Sequence, residues 1–410
     1  MVKHSLSKDK IRILLLEGVH DNAVQEFHAR GYTNVELLPH ALEEAELIEK
    51  IQGVHIVGIR SATRLTDKVL AAANRLICVG CFCIGTNQVR LDTARKAGIP
   101  VFNAPYSNTR SVAELVIGEM VMLLRGIPER SHLAHNGVWR KNAKNSFEMR
   151  GKTLGIVGYG HIGYQLSIMA EAMGMRVRYF DIEKKLAIGN AEPCSSLKEL
   201  LEVSDVVSLH VPATPQTKNM IGEAEIRIMR KGSYLINASR GNVVDVDALV
   251  RALEDKHILG AAIDVFPAEP GSNDEEFVSP LRAFHNVILT PHVGGSTQEA
   301  QANIGVEVAE KLIKYSDNGS PVGAVNFVEV ALPVKAGGTR FLHIHANVPG
   351  VLRRINELFS SRNLNVSAQY LQTDPEVGYV VVDLDGDVDE VELIGELHAL
   401  DGTIRARYLY

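Results

Sequence analysis

The sequence predicts an α/β protein with two parallel sheets and a small antiparallel module at its C-terminal end. Three observations carry this. Runs that are apolar throughout alternate with helix-patterned stretches as far as Tyr315, as expected for strands of parallel sheets covered on both faces. A glycine cluster, Gly158-Tyr159-Gly160-His161-Ile162-Gly163, falls between an apolar strand and a helix pattern, far into the chain. From Ala336-Gly337-Gly338 onward the order becomes βαββαβ, that of a ferredoxin-like module.

In the first hundred residues the strand patterns are Ile11 to Leu16, Val35 to Leu38, Val54 to Ile59, Leu76 to Val79 and Ile99 to Asn103. Helix patterns alternate with them: Ala23 to Arg30, Leu42 to Ile51, Asp67 to Ala73 and Leu91 to Ala97. Ser111-Val112-Ala113-Glu114 reads as a capping box opening a long, rather apolar helix to Leu124. Such a helix is expected to be buried, between domains or subunits. The strand Leu154 to Val157 then leads into the glycine cluster, a helix pattern from Gln165 to Met173, and a strand from Arg176 to Phe180 ending at Asp181. Further strands are Asp205 to Val211, Tyr234 to Ala238, Ala261 to Val265 and Val287 to Thr290. A helix from Thr297 to Tyr315 runs to the stop Ser316-Asp317-Asn318-Gly319. If it packs back on the first domain, the middle domain is an insertion reached by two crossings, and Arg60 can face the middle domain across a hinged cleft. In the tail, Arg340 to Ala346, Val366 to Thr373, Gly378 to Asp385 and Thr403 to Leu409 read as strands. Helices follow Pro349-Gly350, with Leu352, Ile355, Leu358 and Phe359 on one face, and span Val388 to Leu400. The exposed half of this sheet invites pairing with another copy.

A chain of 410 residues exceeds one ordinary core, so two or three domains are expected. Net charge −6 offers no basic field for nucleic acid. No apolar stretch is long enough to span a membrane, and Met1 to Arg12 is polar and Lys-rich without a signal core, so a cytoplasmic location is expected. Cys78, Cys81 and Cys83 form C-x-x-C-x-C. No second cluster completes a tetrahedral set and their neighbours are apolar, so they read as small buried side chains and no metal is expected.

The glycine cluster is where chemistry enters. Gly158 allows the tight turn, Gly160 lets the backbone approach a pyrophosphate, and Gly163 lets helix and strand pack closely. The phosphates would lie on the helix N-terminus. Asp181, eighteen residues after Gly163, can accept both adenosine ribose hydroxyls and repel a 2′-phosphate, favouring NAD over NADP; Lys184 and Lys185 nearby weaken that preference. Three further residues stand at successive strand ends, where open α/β sheets place ligands: Arg240, Glu269 and His292. A guanidinium can fork a carboxylate, and an imidazole raised by a neighbouring carboxylate can take a hydroxyl proton. Taken singly, each also reads as a strand cap, a loop acid or an exposed histidine; together beside a nucleotide crevice they read as a site. Arg60 and Ser61 follow the third strand, Asn108 and Thr109 begin the long helix, and Lys141 lies on a loop after Trp139. Several cations at one cleft suit a dianionic ligand, although Arg64 and Lys141 read equally well as solvated surface charge.

Gly158 to Gly163 with Asp181, Asn237-Ala238-Ser239-Arg240-Gly241, Ala262-Ile263-Asp264-Val265-Phe266 before Glu269-Pro270, and Thr290-Pro291-His292 through Gly295-Ser296-Thr297 resemble the D-2-hydroxy-acid dehydrogenase family. The likeness runs essentially end to end, to members with a C-terminal ACT domain. It implies a Rossmann-type nucleotide domain (108–296) inserted into a flavodoxin-like substrate domain (1–107 and 297–336), followed by the ACT domain (337–410). It implies NAD-linked oxidation of 3-phospho-D-glycerate to 3-phosphohydroxypyruvate, which opens L-serine synthesis, with reduction of 2-oxoglutarate as a side activity. Arg240 would hold the substrate carboxylate and C2 oxygen, and His292 would be the acid/base with Glu269 as partner. Asp264 would meet the nicotinamide carboxamide, while His161, Ile162, Ala238, Ser239, Arg240, His292, Gly294 and Gly295 would line the cofactor. Arg60, Ser61, Asn108 and Lys141 would contact substrate. Ala62 stands where some members carry an arginine, a charge that Arg64 would have to supply. The ACT likeness implies inhibition by L-serine at His345, Asn347 and, from a facing copy, Asn365, in a homotetramer. Hydroxypyruvate or glyoxylate reductases share the three catalytic residues, though the ACT-like tail argues against them. A redox-sensing corepressor shares the fold, but no partner-peptide motif is evident.

Overall fold

The computed structural model describes residues 6–270, 274–333, 338–386 and 388–409. The chain forms two compact units, residues 1–107 with 301–410, and residues 108–300. It crosses between them twice, the second time within a helix. That crossing falls four residues beyond the 296/297 boundary read from the sequence, and the expected 336/337 boundary lies outside the described residues.

The first unit begins with β1 (Ile13–Leu15), α1 (Asp21–Ala29), β2 (Val35–Leu37), α2 (Glu44–Lys50), β3 (Ile56–Ile59), α3 (Asp67–Ala72), β4 (Cys78–Cys81), α4 (Leu91–Lys96) and β5 (Val101–Asn103). The strands form one parallel sheet in the order β2-β1-β3-β4-β5, the flavodoxin-like arrangement. Fully buried β1, β3, β4 and β5 explain the unbroken apolar runs, and Cys78 and Cys81 are part of that packing.

The second unit contains α5 (Thr109–Leu124), α6 (Ile127–His135), β6 (Thr153–Val157), α7 (His161–Ala172), β7 (Arg176–Phe180), β8 (Glu192–Pro193), α8 (Leu197–Val203), β9 (Val206–Leu209), α9 (Glu223–Ile228), β10 (Ser233–Asn237), α10 (Val246–Glu254), β11 (Ile258–Ile263) and β12 (Val287–Leu289). Their parallel order is β12-β11-β10-β9-β6-β7-β8, a doubly wound nucleotide sheet with one extra strand beyond β11. Two local readings are corrected here. Helix α5 starts at Thr109 after Asn108, and Ser111 is no cap, because its hydroxyl meets Thr297 Oγ1 at 2.8 Å. Helix α7 starts at His161, four residues earlier than its apolar period suggested, so its N-terminus lies directly on the glycine turn. Helix α5 is buried along one face only; Arg110, Glu114 and Val121 remain exposed.

Helix α11 (Gln298–Asn318) returns the chain to the first unit and ends at Gly319, whose φ of +81° terminates it. The tail then forms β13 (Thr339–Ala346), α12 (Val351–Ser361), β14 (Asn365–Thr373), β15 (Val377–Asp385), α13 (Glu390–Ala399) and β16 (Thr403–Leu409). The sheet order β14-β15-β13-β16 is antiparallel throughout and ferredoxin-like. Within this unit the tail holds the first sheet through arginines on backbone carbonyls. Arg405 donates to Ala97 O at 2.7 Å and to Leu76 O, and Arg407 donates to Tyr315 O at 2.6 Å while lying over that ring. Arg340, 1% exposed, forks Asp383 at 2.6 and 2.7 Å and reaches Asn318 O and Pro333 O, each at 3.2 Å.

Arg340→Met leaves Asp383 without its partner and two carbonyls without a donor. We expect a loss of about 3 kcal/mol in urea unfolding, because a buried charge stripped of its partner is expensive. An unchanged midpoint would mean that water reaches Asp383 in place of the guanidinium.

Candidate functional site

The three fingerprint glycines do three different things. Gly158 has φ +91°, and a Cβ there would stand 2.6 Å from His210 O. A Cβ on Gly163 would stand 2.6 Å from Gly158 O, so only glycine lets α7 lie this close to the turn. At Gly160, the N-cap of α7, a Cβ would meet nothing within 4 Å. The protein thus leaves open space at the glycine expected to face a phosphate, and the residues present fit a dinucleotide. His161 and Ile162 follow on the first turn of α7. Asp181 accepts the N–H of Tyr159 at 2.8 Å on one oxygen and that of Glu183 at 2.9 Å on the other. These bonds aim the carboxylate and leave each oxygen further acceptor capacity for a ribose hydroxyl. Lys185 is engaged by Glu183.

The turn after β10 is built by Asn237. Its side-chain oxygen accepts Ser239 N–H at 3.1 Å and Ser239 Oγ at 2.8 Å, and its amide donates to Arg240 O at 3.0 Å. This folds Ala238, Ser239 and Arg240 over the strand end. A Cβ on Gly241 would overlap the Phe266 carbonyl, so glycine is what lets Arg240 stand beside the 264–269 segment. Glu269 closes that segment by accepting Phe266 N–H at 3.1 Å with Oε1. Its Oε2 lies 2.9 Å from His292 Nδ1. His292 is half-exposed and sits at φ +53°, a left-handed conformation rare outside glycine and asparagine.

Asp264 explains that strained backbone. It is 1% exposed, and its carboxylate accepts Thr290 Oγ1 at 2.6 Å, Val293 N–H at 2.8 Å and Gly294 N–H at 2.9 Å, while its carbonyl accepts His292 N–H at 2.9 Å. Three side-chain contacts leave Asp264 Oδ2 with acceptor capacity for one more donor. Gly294 is required here as well, since a Cβ would stand 2.9 Å from that oxygen, and a Cβ on Gly295 would overlap the Asn108 amide. Asn108 is buried, and its Oδ1 has no hydrogen-bond partner.

The electrostatics follow from the His292–Glu269 contact. The Glu269 hydrogen bond and charge raise the His292 pKa, against burial, which lowers it. Burial raises Glu269, but its bonds to His292 and the Phe266 N–H outweigh this and leave it low. In a neutral imidazole donating through Nδ1–H to Glu269, Nε2 keeps a lone pair at the opposite end of the ring.

The structure therefore brings Arg240, Glu269, His292, Asp264, Gly294, Gly295 and Asn108 together in one unit. Lys141 is exposed beside a depression lined by Arg125, Ile127, Arg130 and Ser146, a lining that includes none of Arg240, Glu269 and His292. Arg60 and Ser61 follow β3 in the other unit. There the structure shows a residue the sequence did not flag. Glu17, at φ +63°, accepts the N–H groups of Arg60 (3.0 Å), Ala62 (2.9 Å) and Thr63 (2.8 Å), and its carbonyl takes Arg60 Nη1 at 3.3 Å. The Glu17-Gly18 pair after an apolar strand was its only sequence signal. In the tail, Asn347 donates its side chain to Asp374 O at 2.7 Å, and His345 is buried, with Nδ1 2.9 Å from Ala346 O and Nε2 unpartnered. Asn365 pairs with Asp385 at the far end of β15 from Val377, the partner of Ala346. One chain thus holds Asn365 and Asn347 at opposite ends of the sheet.

A family model described as D-isomer specific 2-hydroxyacid dehydrogenase, NAD binding domain, matches residues 117–294, and one for an AHAS small subunit-like ACT domain matches residues 341–405. The chain is 60% identical to D-3-phosphoglycerate dehydrogenase of Escherichia coli (strain K12) over 411 residues, covering 100% of both chains. It is 59% identical to the Haemophilus influenzae protein of that name, covering 100% of this chain and 99% of the other. Among solved structures, D-lactate dehydrogenase from Aquifex aeolicus, complexed with NAD and lactic acid, is 26% identical with a TM-score of 0.65, covering 74% of this chain and 96% of its own.

Gly158→Ala places a side chain against a backbone oxygen in a left-handed turn, so the turn itself must move. We expect NADH affinity, read by fluorescence titration, to fall by about tenfold or more, consistent with a strain above 1 kcal/mol. Unchanged affinity would show that the turn relaxes without disturbing the nucleotide.

Proposed function

The chain belongs to the D-isomer specific 2-hydroxyacid dehydrogenase family, and we propose from that premise that it oxidises 3-phospho-D-glycerate to 3-phosphohydroxypyruvate. The observation that carries the chemistry is the His292 Nδ1–Glu269 Oε2 contact of 2.9 Å beside Arg240, all at the C-terminal edge of the nucleotide sheet. NAD, when bound, would supply the hydride acceptor. The Arg240 guanidinium forks the substrate carboxylate and its neighbouring C2 oxygen. His292 Nε2 takes the proton of the C2 hydroxyl as the C2 hydrogen departs with its electron pair, leaving a C2 carbonyl. Glu269 fixes the imidazole tautomer and stabilises the imidazolium that results. In the reductive direction the same proton returns to the oxygen. We also assign to this site the reduction of 2-oxoglutarate, which presents the same carboxylate beside a C2 carbonyl.

Arg60 and Ser61, held by Glu17, and Asn108 and Lys141 are the residues proposed to meet the rest of the substrate. Arg64 is the cation available where Ala62 offers none. For the tail we propose L-serine as the effector, held by His345 and Asn347 of one copy and Asn365 of another. The placement of these residues at opposite ends of one sheet supports a site completed by a second chain, and a tetramer is the assembly we propose. Among the described residues no helix is long and apolar enough to cross a membrane; a cytoplasmic location is part of this reading.

NADH formation from 3-phosphoglycerate is the direct test, and L-serine is expected to suppress it. NADH binding without turnover on 3-phosphoglycerate would overturn the substrate assignment. Asn365→Ala is expected to relieve inhibition by tenfold or so while basal turnover holds; unchanged inhibition would remove Asn365 from the effector site.

Oxidation needs neutral His292, so its rate climbs as pH rises through the His292 pKa. Glu269→Gln removes the group that raises that pKa. The acidic limb of the kcat/KM profile should therefore move to lower pH, with the plateau down about 100-fold. A limb that stays in place would assign the titration to another group.

A further inference from the structure

Helix α5 carries an acid for which the proposed chemistry has no use. Glu119 is completely buried, and among the described residues neither of its carboxyl oxygens has a hydrogen-bond partner. The helix offers exposed positions at Arg110, Glu114 and Val121, so a solvated acid had places to stand.

Its position is fixed by its neighbours. Near the start of α5, Val112 and Leu115 lie 3.5 and 3.8 Å from the point where a Cβ on Gly294 would stand, and Asp264 Oδ2 is 2.9 Å from that point. Near its end, Leu123 stands 3.3 Å from the corresponding point on Gly260, at the beginning of β11. Glu119 falls between these contacts on the same helical stripe, seven residues after Val112 and four before Leu123. Strand alternation puts Gly260, Ala262 and then Asp264 on one face of β11, and Ala262 packs in the α5 cluster. The small residues let the helix approach, and Glu119 and Asp264 are both buried, within electrostatic reach of one another.

The two acids are not equivalent. Asp264 accepts three donors, which suit a carboxylate; Glu119 accepts none, which suits a neutral acid. Burial first, and the charge of Asp264 second, push Glu119 up to about 8. Tyr159, Tyr164, Tyr179 and Tyr234 are the tyrosines of this packed face. On α6, Glu129 pairs with Arg140, and Arg130 binds the 142–146 loop. β12 brings no ionisable group, and Arg240 and His292 stand around Asp264 on its far side.

We propose that Glu119 is a buried proton acceptor linked to the redox state of the nicotinamide, protonated with the reduced cofactor and ionised with the oxidised one. This rests on the NAD reading and on Asp264 meeting the nicotinamide. A positive ring beside the pair favours two negative charges; a neutral ring leaves room for one. The Glu119 proton passes to solvent when the oxidised form binds and returns after hydride transfer. Over a full turnover the net release therefore stays at the single proton taken from the substrate hydroxyl. Glu119 touches no reacting atom and acts through Asp264 as a positioning residue for charge.

The test is nucleotide binding by the full chain, with NAD+ and NADH titrated calorimetrically from about pH 6.5 to 8.5 in buffers of different ionisation enthalpy. In the wild type, the ratio of Kd for NAD+ to Kd for NADH should fall by about tenfold over that range, since NAD+ binding releases the Glu119 proton. Glu119→Gln should flatten the ratio severalfold, leaving only the contribution of His292 with Glu269. Thermal unfolding of the apoprotein gives a readout free of cofactor. A folded pKa raised above its unfolded value makes the wild type lose stability between about pH 5 and 8, so the Tm of Glu119→Gln relative to wild type should rise across that window. His292→Asn keeps Glu119 and must still release a proton with NAD+ but not with NADH, which tests the idea even if Glu119→Gln fails to fold. Equal slopes in wild type and Glu119→Gln, or no proton release in His292→Asn, would overturn the proposal and leave the NAD reading standing. Failure of the wild type to bind either nucleotide would overturn both.

Discussion

An ionised carboxylate cut off from water must find its donors within the protein, and Asp264 finds them all in the segment after β12. Thr290 supplies a hydroxyl, and Val293 and Gly294 supply backbone N–H groups. Satisfying one buried charge thereby dictates the course of five residues, including the left-handed backbone at His292. The strain there, of order 1–3 kcal/mol, persists because the bonds on either side over-determine it. Glu269 then has only to orient a ring whose backbone is already fixed. It does this from a segment closed by its own bond to Phe266 N–H. The His292–Glu269 pair is the visible end of an arrangement that begins one layer deeper, at the C-terminal edge of β11.

A parallel logic holds the first unit together, with the signs exchanged. Arg405, Arg407 and Arg340 carry permanent positive charge into a half-dry interface, and the groups they meet include backbone carbonyls of Leu76, Ala97, Tyr315, Asn318 and Pro333. Ala97 caps α4, and Tyr315 and Asn318 stand in the last turn of α11, where carbonyls have acceptor capacity to spare. A guanidinium, with five donors in a rigid fork, can satisfy several at once. Arg95 adds a polar rim, meeting Asp374 at 2.9 Å and Glu376, on the turn that also receives both donors of Asn347. The residues proposed for the effector and a helix of the first sheet thus hold one turn in common. Any displacement of that turn is felt on both sides.

What could be read from the sequence was whatever a residue type alone enforces. Glycine at 158 and 163 is demanded by the backbone itself, while at 160 it leaves open space. Strand ends were legible because buried parallel strands are apolar throughout and stop abruptly, which placed Arg240, Glu269 and His292 at one edge. Local hydrogen-bond chemistry was less legible, because side chains choose among partners the sequence does not order. Ser111 had the spacing of a cap and turned instead to Thr297. Glu17 went unflagged, yet it is the anchor of the loop that carries Arg60. Asp264 was expected to serve a ligand, but most of its bonding capacity goes to the protein. Helix α7 began earlier than its apolar period implied, because the exposed His161 and partly exposed Ile162 obey the demands of the turn rather than those of the core.

Glu269 and Glu119 show how far environment outruns composition. Both are glutamates of the same unit: Glu269 meets His292, and Glu119 feels the charge of Asp264. Glu269 is partly solvated and faces a group that can become a cation, so its ionised form is favoured despite burial. Glu119 is dry and faces an anion, so its neutral form is favoured by burial and charge together. Asp264 is held in place by three donors. A charge arriving on either side of it is therefore transmitted to the other without movement of the backbone, because the turn is already fully bonded. In such a site the protein need not shift to register a change in ligand charge; loss of the Glu119 proton to solvent, and its return, is enough.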